Sequence, residues 1–180
     1  MSQDAEPIRA RIHRWYVPNA IYFLTAVTHA RTSLFADEAN VALLRATMRR
    51  AKELYPFTMH AYVFLPDHFH LLIRVPEAAN LSRLMQSIQW NWTIRYKKIH
   101  QVTASVHLWQ RGYWDHVIRD DRDLEQHFDY IHYNPVKHGY VQHPLDYAHS
   151  SFGEYVRRGW YGPAWAEAVG ISEAGESGAE

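Results

Sequence analysis

An α+β fold of the ferredoxin-like kind, βαββαβ, with a four-stranded antiparallel sheet, two helices on one face and a further C-terminal helix, is expected from three features of this chain. Four apolar, β-branched or aromatic segments alternate with amphipathic ones in that order. The dipeptide Pro66-Asp67 joins the second and third strands tightly enough to make them antiparallel neighbours. A last helical segment, opened by an Asp-rich cap, follows the fourth strand.

The first strand is Ala20 to Thr28, β-branched and aromatic throughout. Asp37 to Leu54 is the first helix: Val41, Leu44, Met48 and Ala51 recur at helical spacing, Asp37 suits an N-cap, and Pro56 stops it. Phe57 to Leu65 and His68 to Val75 are the second and third strands. Asn80 to Ile99 is a long helix whose stripe is Leu81, Leu84, Met85, Ile88 and Trp92. Leu108 to Ile118 is the fourth strand, and Asp120 to His138 the third helix, which must cover an edge or the open face of the sheet. These elements make one domain over residues 13–163. A flexible basic arm, residues 1–12, precedes it, and an acidic tail, 164–180, is expected to be disordered.

With 180 residues, 47% of them hydrophobic and 14% aromatic, the chain can bury a sizeable core. It has no cysteine, which excludes disulfides and thiolate metal sites. No apolar run serves as a signal peptide or approaches the roughly 18 residues of a membrane span, so a soluble cytoplasmic protein is expected. The net charge of zero hides an uneven distribution: residues 7–163 hold all 19 Lys and Arg but only 13 acids, a balance of +6. That surplus permits contact with phosphate backbones.

Residues two apart on a strand share a face, so His68 and His70 project together while Phe69, Leu71 and Ile73 face the core. Paired imidazoles form half of a divalent-metal site. Because 13 histidines yield about one His-x-His by chance, the pair gains weight only beside a second segment. On the third helix His127, Tyr130, Asn134 and Lys137 lie in line, opposite Leu124, Phe128 and Ile131. Pro135 is expected to kink or loosen this helix, and Gly139 to end it.

A phenol is a weak nucleophile unless its target's charge is neutralised. A divalent ion on His68, His70 and an oxygen ligand can stabilise the charge that builds up during in-line attack on a phosphodiester. Asn134, one turn beyond Tyr130, is placed to be that third ligand; its carbonyl suits Mg²⁺ or Mn²⁺. Tyr133 is the rival nucleophile, but it is rotated by about 100° from Asn134, its sequence neighbour.

Three ordered segments, Val63-Phe64-Leu65-Pro66-Asp67-His68-Phe69-His70, then Trp109 to Arg119, then Asp129-Tyr130-Ile131-His132-Tyr133-Asn134-Pro135-Val136-Lys137-His138-Gly139, resemble the REP-associated tyrosine transposases, a single-tyrosine branch of the HUH endonucleases. The resemblance spans about residues 13–165. It implies metal-dependent cleavage and joining of single-stranded DNA beside short palindromic hairpins in bacterial genomes. It implies Tyr130 as nucleophile and His68 and His70 as metal ligands, with the third-ligand position falling on Asn134.

For the DNA itself, Trp109, Arg111 and Tyr113 are expected to alternate on one face of the fourth strand, stacking bases and holding phosphates. Arg95, Lys97 and Lys98 end the second helix, and Arg9, Arg11 and Arg14 form the N-terminal arm. Arg119 and Lys137 complete the expected DNA contacts. The partner is single-stranded or hairpin DNA, bound by a monomer or homodimer. Two other classes compete: a non-catalytic single-stranded nucleic-acid binder with the same fold, and a metallohydrolase that uses water. The joint presence of His68, His70, Tyr130 and Asn134 argues against the binder, and a covalent adduct that disappears with Tyr130→Phe separates the hydrolase from the first.

Overall fold

In the computed structural model, residues 17–76, 81–162 and 165 are described. The elements are β1 (Ile21–Val27), α1 (Glu38–Leu54), β2 (Thr58–Phe64), β3 (His68–Arg74), α2 (Leu81–Ile99), β4 (Trp114–Val117), α3 (Asp121–Lys137) and the short α4 (Phe152–Arg157). The strands form one sheet in the order β2-β3-β1-β4, every neighbour antiparallel, which is the ferredoxin-like arrangement expected from the sequence.

Alternation along the strands splits the interior in two. Tyr22, Leu24 and Ala26 of β1 and Phe69, Leu71 and Ile73 of β3 are buried under α1 and α2, against Val41, Leu44, Met48, Leu84, Ile88 and Trp92. Phe23, Val63 and Leu72 face the other way, against Ile131, Leu124 and Phe128 of α3. The third helix therefore covers the open face. Chain 147–151 backs β2: Tyr147 Oη donates to the Phe64 carbonyl at 2.8 Å, and Val63 pairs with Ser150. That occupies a sheet edge which would otherwise be unpaired.

The helix ends follow local chemistry. Asp37 accepts from the Ala39 amide (2.9 Å) and Asp120 from the Asp123 amide (2.8 Å), satisfying first-turn donors. Pro135 lies in the last turn of α3, where the helix runs on to Lys137. Gly139 takes φ +70°; its amide bonds to the Val136 carbonyl and that of Tyr140 to the Pro135 carbonyl, a Schellman closure that needs a left-handed residue.

One expected element is shorter than the sequence suggests. The fourth strand does not run from Leu108 to Ile118: only Trp114–Val117 is strand, preceded by a lone bridge between Trp109 and Thr28. Gly112 at φ +85° turns the chain between them. Trp109, Arg111 and Tyr113 consequently do not alternate on one strand face.

Candidate active site

The site forms where β3 and β1 meet α3. Antiparallel register sets Thr25 opposite His70, and Trp114 opposite Thr25, all on the α3 side. The Pro66-Asp67 turn places His68 as the first strand residue, and the period of two brings His70 beside it: their rings are 4.9 Å apart. From above, α3 lowers Tyr130 to 5.3 Å from the His70 ring, with Lys137 Nζ 5.4 Å from the centre of the phenol ring. His138, at the helix end, comes within 5.5 Å of His68.

Both histidines are held by one nitrogen. His68 Nδ1 donates to the Asp67 carboxylate at 2.6 Å, and Asp67 also pairs with Arg31 at 3.2 Å. Burial alone would raise the Asp67 pKa, but the His68 hydrogen bond and charge, then Arg31, hold it down at about 2. His70 Nδ1 shares a hydrogen bond of 2.8 Å with Thr25 Oγ1. In each case Nε2 is left as the available nitrogen, oriented from behind as metal-binding imidazoles usually are. Burial, followed by the neighbouring His68, His138, Lys137 and His127, drives the His70 pKa well below its usual range, so the ring is neutral and a competent ligand.

The strongest sign of a missing partner is polar burial. Among the described residues, four buried side-chain atoms have no hydrogen-bond partner: His60 Nε2 on β2 and, here, His70 Nε2 and both amide atoms of Asn134. Asn134 is wholly enclosed, one turn beyond Tyr130 on α3. Leaving such groups unpaired costs about 1–3 kcal/mol each. Two imidazole nitrogens and a carbonyl oxygen match a borderline-hard divalent cation, so these residues fit the metal expected here. Both histidines are deeply enclosed, His68 at 5% and His70 at 2% exposure, because α3 closes over them.

The remaining expected residues are dispersed. Arg95, Lys97 and Lys98 sit on the C-terminal half of α2, across the sheet from α3. Trp109 and Tyr113 pack against that apolar core, the Trp109 indole donating to the Gln89 carbonyl at 3.1 Å. Arg111 is exposed on the connecting loop. Arg119 is exposed but leans on Asp123 at 3.2 Å. Arg9, Arg11 and Arg14 lie outside the described residues.

Sequence reasoning missed a second cluster. Asp123 accepts from His116 Nε2 (2.9 Å), the Arg119 amide (2.9 Å) and the Arg119 guanidinium, while His127 Nδ1 lies 3.1 Å away. Its donors outweigh the effect of burial and keep its pKa near 2. His116, Asp123 and His127 can by composition hold a metal ion, yet this carboxylate already has its donors. The cluster acts as a joint between β4 and α3, holding the helix that carries Tyr130 one turn further on. No local motif in the sequence announces it, since His116 and Asp123 meet only through the fold.

The class to which this fold belongs is that of the transposases. The family model described as "Transposase IS200 like" matches residues 16–134, and the chain belongs to that family. Its relatives specify the branch. An Escherichia coli REP-associated tyrosine transposase is 32% identical over 91% of this chain and 94% of its own length. A Haemophilus influenzae protein provisionally named for the same class is 37% identical over 84% of this chain and 90% of its own. The solved structure of a REP-associated tyrosine transposase bound to a REP hairpin has a TM-score of 0.74 and 28% identity, covering 91% of this chain and 97% of that one. No helix among the described residues is long and apolar enough to cross a membrane.

Proposed function

We propose that this protein is a metal-dependent single-stranded DNA endonuclease and strand-transferase that acts beside short hairpins through a covalent phosphotyrosine. One observation carries the reading: Tyr130 stands against His70 while His70 Nε2 and the Asn134 amide are buried without partners. His68, His70 and Asn134 would hold a Mg²⁺ or Mn²⁺ ion. When bound, that ion supplies charge neutralisation at a non-bridging phosphate oxygen. Thr25 and Asp67 orient the two imidazoles, and Lys137, over the phenol, adds positive charge where the phosphate must lie. The Tyr130 oxygen attacks phosphorus and loses its proton; the bond to the leaving oxygen breaks, and that oxygen departs as a free hydroxyl. The bond energy is retained in the phosphotyrosine, so a second end can be joined by the reverse step.

Residues 13–163 act as one domain, flanked by an N-terminal arm (1–12) that carries Arg9 and Arg11 and by an acidic tail (164–180). The protein works in the bacterial cytoplasm on single-stranded or hairpin DNA, as a monomer or homodimer. The family relationship and the hairpin-bound neighbour support this reading. The test is incubation with a single-stranded hairpin substrate and Mn²⁺, followed by denaturing electrophoresis. Wild type should give a protein–DNA band that chelation prevents. Tyr130→Phe should lower adduct formation by roughly 10³-fold or more while still binding the hairpin, and Tyr133→Phe should keep partial activity. Cleavage without an adduct would indicate water as nucleophile. DNA mapped to Tyr133 would overturn the assignment of Tyr130.

A further inference from the structure

Across the sheet from the candidate active site, Trp90 stands out of α2 with 65% of its surface exposed. Ile94, one turn further along the same helix face, is exposed as well, so the apolar surface is shared by neighbouring side chains, the arrangement that marks a contact surface. Two clefts flank it, sharing Trp90 and Gln86 in their walls. One, of about 510 Å³, opens towards the end of α1 and includes Arg83; the other, of about 410 Å³, opens towards the loop before β4 and includes Gln89 and Thr93. Both volumes lie in the range of small-ligand sites, about 300–1,000 Å³.

We propose that Trp90 is a stacking platform for unpaired bases of the DNA strand, which it would hold in these two clefts. Three further observations favour that occupant. The walls are mainly apolar and aromatic but also carry amides and hydroxyls, among them Gln86 and Ser87, so a base can be stacked and hydrogen-bonded at its edges. The charge is one-sided: residues 81–114 contain five Lys and Arg and no Asp or Glu, in a chain whose acids and bases balance overall. The floor of the loop-side cleft is already braced, with the Trp109 indole donating to the Gln89 carbonyl and to Thr93 Oγ1 (both 3.1 Å) and Gln89 Nε2 donating to the Gly112 carbonyl at 3.2 Å. A preorganised cleft loses little freedom on binding.

The position suits a strand that also visits the candidate active site. Trp114 faces α3, two strands from His70 through Thr25, whereas Tyr113, one residue earlier, packs on the α2 side and lines the cleft. A short unpaired stretch passing over the β4 edge can therefore link the two faces. This inference rests on the proposed DNA function and assigns that function a second contact surface.

The test compares two ligands by fluorescence anisotropy: a blunt hairpin, and the same hairpin with a single-stranded tail. Loss of one stacked base by alanine substitution corresponds to roughly ten- to hundred-fold in affinity. Trp90→Ala should weaken the tailed hairpin by that factor and the blunt one by less than about two-fold, and Trp90→Phe should recover most of the loss. An abasic tail should weaken wild type similarly, with no further loss in Trp90→Ala. If Trp90→Ala binds the tailed hairpin as wild type does, the platform is refuted while the broader reading stands. If wild type binds neither ligand, both fail together. If Trp90→Ala changes only sedimentation, from dimer to monomer, the surface is an interface between copies and the base-stacking assignment is wrong.

Discussion

Under α1 and α2 the sheet presents Leu24, Phe69, Leu71 and Ile73, closed off by Trp92, all essentially without solvent exposure. Under α3, whose Asn134 is fully buried, the same two central strands present Thr25, His68 and His70, and these are almost as deeply buried. Burial is thus alike on the two faces and chemistry is opposite. On the first face enclosure removes apolar area from water and stabilises the fold. On the second it strips water from His70 Nε2 and the Asn134 amide, which then lack partners; that costs stability and prepares those groups for a ligand. Proteins commonly give up stability at functional sites in this way.

The largest effect is expected on the apolar face. Trp92 is fully buried, packs edge-on to Phe35 and Trp109 at 5.4 and 5.3 Å, and its indole donates to the Asn40 carbonyl at 3.3 Å. Trp92→Ala should lose about 3–5 kcal/mol in urea unfolding, for lost transfer energy plus an unfilled cavity. A loss below about 1 kcal/mol would mean that this face is not the stabilising one.

How much of this contrast is legible in the sequence depends on the range of the interactions. The alternation of His68 and His70 with Phe69, Leu71 and Ile73, the Asp37 and Asp120 caps and the Gly139 closure are all local, and each appears in the structure as expected. The loop before β4 misleads because its aromatic content imitates a strand; only Gly112, with its left-handed backbone, hints at the break. Clusters that join distant segments are illegible: His116 finds Asp123, and His132 finds Ser151 and Tyr161, only after α3 has docked. The depth at which α3 buries His68 and His70 is likewise a property of packing between elements.

An intermediate effect should appear with pH, on the α3 side. His132 is fully buried and hydrogen-bonded through both nitrogens, to Tyr161 and Ser151 at 2.8 Å each, and burial lowers its pKa to about 3. The folded value lies below the unfolded value near 6.5, so the unfolded chain takes up the proton first. Stability from this residue is complete above about pH 6.5 and falls as pH drops toward 3, by about 1.4 kcal/mol per pH unit. His132→Asn should flatten the dependence of the urea midpoint on pH between about 4 and 6 relative to wild type. An unchanged slope would assign the acid sensitivity to His60, His70, His127 or His138, whose pKa values burial also lowers.

The smallest change in stability should be the most informative, because Asn134 is as buried as Trp92 and is expected to respond in the opposite sense. Its amide oxygen and nitrogen both lack partners, so the folded protein carries the cost of desolvating them without a compensating bond. Leucine has nearly the same size and no polar atom, so Asn134→Leu fills the space and removes that cost. Unfolding without metal should therefore be unchanged or harder by up to about 1–2 kcal/mol. Added Mn²⁺ at about 100 times its dissociation constant should stabilise wild type by about 2.7 kcal/mol. The variant, deprived of its oxygen ligand, should lose most of that increment and with it adduct formation. If Asn134→Leu destabilises the metal-free protein and Mn²⁺ still raises its melting temperature fully, the amide is a packing group and the third ligand lies elsewhere. A stabilised, metal-indifferent, inactive variant would show that the polar face of the sheet is maintained for chemistry at the expense of the fold.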